Sequence, residues 1–206
     1  MAQDPSPEQD PGPENAKPLE SLTAGAQEAA KSGRRPPVHL WNPPFCGDID
    51  MRIAADGAWF YGGTPVARPA LVRLFASILR RDPERYVLVT PVERVGIVVE
   101  DAPFTAVAML ASGAGDAQTL AFRTNVDDET SAGPDHPLRF ETGPAGVVTP
   151  YVHVRDELWA RIVRPVFYDL VELGEEREHE GQAWYGVRSG GRFFPMVLAA
   201  DLETIA

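Results

Sequence analysis

Gly47-Asp48-Ile49-Asp50-Met51-Arg52 brings two carboxylates and a guanidinium into one short run. Asp48 and Asp50 are two positions apart, so on a regular strand they point to the same face. Such a pair can hold Mg²⁺ together with substrate phosphates, or act as general acid and general base. Arg52 joins that face, and a guanidinium can grip phosphate or carboxylate through two parallel N–H bonds. The same residues also have a purely structural use. Asp readily bonds its own nearby backbone, and these carboxylates can pair with Arg52 or Arg68. Thr90-Pro91-Val92-Glu93 and Glu100-Asp101-Ala102-Pro103-Phe104 then set polar groups at strand ends. Rigid scaffolds commonly carry sites there, although proline turns alone account for the same pattern.

Other chemistries find less. Cys46 is the single cysteine, so the chain forms no internal disulfide. A reactive thiolate needs a cationic or helix N-terminal setting, and an inert cysteine is the expectation. His39, His136, His153 and His179 are scattered without helical ligand spacing, and no metal or other cofactor is expected. Ser112-Gly113-Ala114-Gly115-Asp116 lacks the third glycine of a dinucleotide loop and reads as an interdomain turn. There is no phosphate-loop motif and no G-x-S-x-G elbow.

The elements that position these residues come from a chain of 206 residues, 44% hydrophobic, with 19 basic and 30 acidic side chains and a formal charge of −11. That balance argues against non-specific binding of duplex nucleic acid, which relies on cations to neutralise phosphates. No apolar run approaches the ~20 residues that span a bilayer. The acidic, proline-rich start is unlike a secretory signal, so a cytoplasmic protein with no membrane partner is expected.

Residues 1–18 are acidic and polar and are expected to be a disordered tail. Residues 19–36 suit a short helical arm. A strand over Asp50–Ala54 turns at Asp56-Gly57 and returns through Ala58–Tyr61. Leu71, Leu74, Phe75, Ile78 and Leu79 form the apolar stripe of a helix from about Arg68 to Arg81. Tyr86–Thr90, Gly96–Glu100 and Thr105–Ala111 read as strands. In the second half Thr119–Thr124 and Leu138–Thr142 do the same. A helix is expected over Arg155–Glu172, kinked at Pro165, then an acidic loop over Glu172–Glu180. A hairpin closes the chain through Ser189-Gly190-Gly191. Thr64-Pro65 and Thr149-Pro150 each precede a helix and a strand pair. An internal duplication follows, with domains at 37–113 and 114–206. Strands and helices do not alternate strictly, which favours an α+β fold: small antiparallel sheets or partial barrels, each with one main helix.

The run Trp41-Asn42-Pro43-Pro44-Phe45-Cys46-Gly47-Asp48-Ile49-Asp50-Met51-Arg52-Ile53 resembles the opening signature of the bacterial domain-of-unknown-function family 1285. The similarity continues through Gly63-Thr64-Pro65, Leu88–Glu93, Val99–Phe104, Phe122-Arg123-Thr124-Asn125 and Arg164-Pro165-Val166-Phe167-Tyr168, over about residues 38–200. It implies two α+β domains repeating one motif, the second loosely pleckstrin-homology-like, with any site between them. It also implies a role in signal transduction and a nucleotide-like ligand. Asn125, Arg164 and Tyr168 join Asp48, Asp50, Arg52, Thr90, Glu93, Glu100 and Asp101 as candidate ligand-binding residues. The expected function is a non-enzymatic protein binding a small anionic or nucleotide-like molecule, since no nucleophile–base set is evident. A metal-assisted hydrolase or phosphotransfer enzyme using Asp48 and Asp50 is the alternative. A protein-interaction module docking through the acidic 172–180 segment or a sheet edge is the third.

Overall fold

The computed structural model describes residues 13–31, 35–143 and 146–204. They form two compact units. The first holds the described residues up to Arg52 together with Trp59–Val98; the second holds Ile53–Ala58 together with the chain from Val99 onward.

In the first unit, helix α1 (Pro13–Ala30) leads to β1 (Phe45–Ile53), β2 (Trp59–Tyr61) and β3 (Thr64–Pro65). Helix α2 (Pro69–Ser77) follows, then β4 (Leu79–Asp82), β5 (Arg85–Val89) and β6 (Arg94–Val99). The sheet order is β3-β2-β1-β6-β5-β4. On β1 Met51 and Ile53 are buried while Asp50 and Arg52 stay more exposed. This is the expected alternation. Pro69 sits in the first turn of α2, where its missing N–H costs little. Phe75 of that helix is buried and stacks on Trp59 at 6.4 Å.

The apolar stripe overestimates α2. The helix stops at Ser77, and Leu79 opens β4, paired with Leu88. Ile78 and Leu79 are buried as the stripe requires, but as the entry to a strand. Arg80 then fixes the segment before β1. Its guanidinium donates to the carbonyls of Val38 (2.9 Å) and Trp41 (2.7 Å) and to Asp82 (2.7 Å).

Helix α1 begins at Pro13, so residues 13–18 are helical and not part of a disordered tail; residues 1–12 lie outside the described residues. Its apolar face is thin but sufficient, because Leu22 and Ala26, one turn apart, are both fully buried. Gly25 permits this approach: a Cβ there would lie 2.9 Å from Thr90 Cγ2.

The second unit runs β7 (Phe104–Ser112), β8 (Thr119–Thr124), β9 (Glu129–Ser131), β10 (Leu138–Thr142), β11 (Val148–Arg155) and β12 (Leu158–Ile162). Helix α3 (Arg164–Glu172) precedes β13 (Glu175–His179), β14 (Gln182–Ser189) and β15 (Arg192–Leu198). One sheet has the order β10-β11-β12-β7-β8-β9, and a smaller one is β13-β14-β15. β12 and β7 run parallel, with Ala160 opposite Phe104, so this sheet is not purely antiparallel. β7, placed by the sequence at the end of the first domain, lies within this second sheet.

The helix expected over 155–172 is half strand. Leu158, Ile162, Val166 and Leu170 recur every four residues, which fits one helix face. Yet Leu158, Ala160 and Ile162 are buried in alternation on β12, a period of two sampled at every second peak. Pro165 does not kink a helix; it lies in the first turn of α3 and helps to start it. The acidic 175–179 stretch is strand β13, exposed on nearly every residue and paired to β14. The 112–116 segment is an internal turn between β7 and β8, held where Asp116 pairs with Arg188. The closing hairpin forms as expected, with Gly190 and Gly191 at φ 57° and 74°, as a two-residue turn with both central residues left-handed requires.

Both units contain three strands, a helix and three strands: β1-β2-β3-α2-β4-β5-β6 and β10-β11-β12-α3-β13-β14-β15. The architecture is therefore α+β in two domains. The Thr-Pro pairs do not correspond, however. Thr64-Pro65 forms β3 directly before α2, whereas Thr149-Pro150 lies on β11, a hairpin away from α3.

Candidate functional site

The start of α3 opens on a cavity of about 440 Å³ within the second unit. Its lining combines Val148, Pro150, Ile162, Val163 and Phe167 with the polar groups of Asp56, Thr105, Thr149, Arg161 and Arg164. The volume lies in the range of small-molecule sites, and an apolar wall with a few convergent polar groups is their usual composition.

Chain geometry brings these groups together. Val163 is extended and no side chain caps α3, so the first-turn N–H groups carry the positive end of the helix dipole without a capping acceptor. Arg164 occupies the first helical position, and its side chain makes no hydrogen bond or ion pair among the described residues. Arg161 stands opposite Tyr151 in the β11–β12 ladder. Both reach Asp101: the Tyr151 hydroxyl donates to Oδ1 at 2.7 Å and Arg161 Nη1 to Oδ2 at 3.2 Å. Asp101 is thereby neutralised, and Arg161 is held in place. Tyr151 is buried, which pushes its phenol up to about 12; the Asp101 hydrogen bond and the Asp101 and Glu141 charges add to the rise, and Arg161 opposes it.

Asp56 lies on the β1–β2 turn, where its Oδ1 accepts the Ala58 N–H at 2.9 Å. Gly57 has φ 84°, and a Cβ on it would press against Asn125 and Thr105. Asn125 clamps this turn: its Nδ2 donates to the Gly57 carbonyl (3.2 Å) while its Oδ1 accepts the Thr105 N–H (3.1 Å). Glu100 Oε2 accepts the Ala55 N–H at 3.0 Å. Asn125 and Glu100 thus shape the wall that carries Asp56.

The candidate residues therefore divide. Arg164 lines the cavity; Glu100, Asp101 and Asn125 support its lining; and Tyr168 is exposed one turn further along α3. Asp48, Asp50, Arg52, Thr90 and Glu93 belong to the first unit. Asp48 pairs with Arg85 at 3.2 Å, and the Arg52 guanidinium lies 4.3 Å over the Phe60 ring. Asp50 raises the Tyr61 phenol, secondarily to burial. Thr90 is buried and accepts the Glu93 N–H at 3.2 Å within its own turn, while Glu93 accepts Ser21 at 2.6 Å. Among the described residues no three His, Cys, Asp or Glu side chains gather in one group, so Asp48, Asp50 and Glu93 form no three-carboxylate cluster. The sequence does not single out Arg161, because its spacing predicts a helix where β12 lies, nor Tyr151, which meets Arg161 only through the β11–β12 register. The alternation Leu158-Trp159-Ala160-Arg161-Ile162 was the available signal.

No described helix is long and apolar enough to cross a membrane. No curated protein matches the chain. Two family models do: the N-terminal domain of the family of unknown function DUF1285 over residues 36–102, and its C-terminal domain over residues 103–196. A DUF1285 family protein from Silicibacter pomeroyi DSS-3 is 54% identical, with a TM-score of 0.80 over 88% of this chain and 97% of that one. A DUF1285 family protein from Shewanella baltica OS155 is 28% identical, with a TM-score of 0.48 over 60% of this chain and 91% of that one. The matches extend across both units, and the chain belongs to the DUF1285 family.

Proposed function

We propose that this chain is a non-enzymatic binding protein of the bacterial cytoplasm. Its second unit takes a small anionic, nucleotide-like molecule, and the complex serves signal transduction. The observation that carries this reading is Arg164, a guanidinium with no carboxylate partner among the described residues, at the start of α3 and lining a cavity of about 440 Å³. A helix N-terminus and a nearby cation both favour a phosphate or carboxylate. Arg161, already oriented by Asp101, supplies a second cation without reorganisation. Phe167 and Pro150 offer apolar surface to a flat ring, and Asp56 and Thr149 offer partners for hydroxyl or amino groups. A metal-assisted hydrolase is less favoured, because Asp48 pairs with Arg85, and Asp101 with Arg161 and Tyr151.

Thermal unfolding with inorganic phosphate, pyrophosphate and nucleoside mono- and triphosphates tests the proposal. A true ligand at a hundred times its Kd stabilises by about 2.7 kcal/mol. Arg164→Ala should leave unfolding of the free protein unchanged and weaken binding about ten- to a hundred-fold, the loss of one charge-assisted hydrogen bond. No shift with any phosphate, or an undiminished shift in Arg164→Ala, contradicts it.

A further inference from the structure

We infer that His136 and His153 form a two-histidine site for a divalent first-row metal ion of the Zn²⁺ or Cu²⁺ kind, separate from the cavity at α3. The two are distant in sequence, and strand pairing makes them neighbours. His153 lies on β11, and its N–H donates to the Pro137 carbonyl at 3.0 Å, next to His136. The His153 carbonyl accepts the Thr130 hydroxyl at 3.1 Å. Both backbone polar groups of His153 are thus held.

The two Nδ1 atoms face each other at 3.2 Å. Two imidazole nitrogens at 2.0–2.1 Å from one tetrahedral ion stand about 3.3 Å apart. The His153 tautomer is set by its other nitrogen. Nε2 approaches the Asp156 carbonyl at 2.5 Å, and a carbonyl only accepts, so Nε2 carries the proton and Nδ1 is a bare lone pair. A metal-ligating histidine usually donates its second N–H in this way to a carbonyl or carboxylate. Asp156 presents that carbonyl from a left-handed backbone, φ 46°, in the β11–β12 turn. Trp159 packs edge-on against His153 at 5.2 Å and braces the ring.

His136 also lines a second cavity of about 580 Å³, together with Arg123, Glu129, Thr130 and Ser131. Among the described residues no third histidine, cysteine or carboxylate completes the set, so water or an external ligand from that cavity fills the remaining positions. Imidazole pairs bind Cu²⁺ more tightly than Zn²⁺, and both ions are released when the rings protonate.

Titration calorimetry of the full chain with Zn²⁺, and separately with Cu²⁺, tests this. The expected result is one saturable equivalent of each ion, bound more tightly for Cu²⁺. His136→Gln and His153→Gln should each weaken binding at least ten-fold. His39→Gln and His179→Gln should not. Among the described residues the His136 side chain has no hydrogen-bond partner besides His153, so His136→Gln remains informative if His153→Gln fails to fold. No saturable equivalent, or undiminished binding in His136→Gln, overturns the site.

Discussion

Tyr151 ties the candidate site to the stability of the second unit. Its phenol is pushed up from 10.0 to about 12, chiefly by burial. A group whose folded pKa exceeds its unfolded value stabilises fully below the unfolded value and loses that stability as pH rises through the folded one. The wild type should therefore lose stability between pH 10.0 and about 12. Tyr151→Phe should be less stable by about 1 kcal/mol at neutral pH, the worth of one hydrogen bond, and should have a flatter alkaline slope. Urea unfolding at several alkaline pH values measures this, and equal slopes would contradict it. The background is favourable, since the chain has two lysines, Lys17 and Lys31, and its other cations are arginines. At this scale the sequence exposed the polar residues but not their partners. Asp101 stood out beside Pro103. Tyr151 and Arg161, which bind it, become neighbours only through the β11–β12 register.

Two glycines in strands make opposite predictions. Gly186 on β14 sits at a register shift against β15, where an added methyl would collide with the Phe194 carbonyl. That neighbour is backbone and cannot turn aside, so Gly186→Ala should cost about 1–3 kcal/mol as an overpacked site. Gly96 on β6 would meet the Asp48 carboxylate, an exposed side chain paired with Arg85. Asp48 can swing away, and giving up an exposed pair costs under about 1 kcal/mol. Denaturant midpoints of the two variants should differ accordingly; equal losses would show that these packing contacts do not decide the outcome. Elements with strong local signals were legible: Asp56-Gly57, Gly190-Gly191 and the Asp50–Ile53 alternation each specify a turn or a face. Leu158 and Ile162 were not, because spacing by four satisfies both a helix and a strand. Ile78 and Leu79 misled for the same reason.

The second unit is discontinuous in the chain, since Ile53–Ala58 belong with Val99 onward. A fragment starting at Val99 lacks Gly57, to which Asn125 donates at 3.2 Å, and Ala55 and Asp56, which line the cavity. It should unfold at lower temperature than the second unit does in the full chain and bind phosphate compounds poorly; full affinity in the fragment would remove the β1–β2 turn from the site. Two α+β domains and a repeated element order were legible from the order of apolar segments. This interleaving was not, because tertiary contacts such as the hydrogen bonds of Glu100 and Asn125 assign the 53–58 turn to the second unit. The central claim, an anion seated at the start of α3, is tested most directly by following the backbone and guanidinium NMR signals of the full chain during titration with pyrophosphate. Saturable shifts should centre on Arg161, Val163, Arg164 and Thr149, with Arg164→Ala weakening the titration. Shifts that centre elsewhere, or remain linear and unsaturated, would contradict the claim.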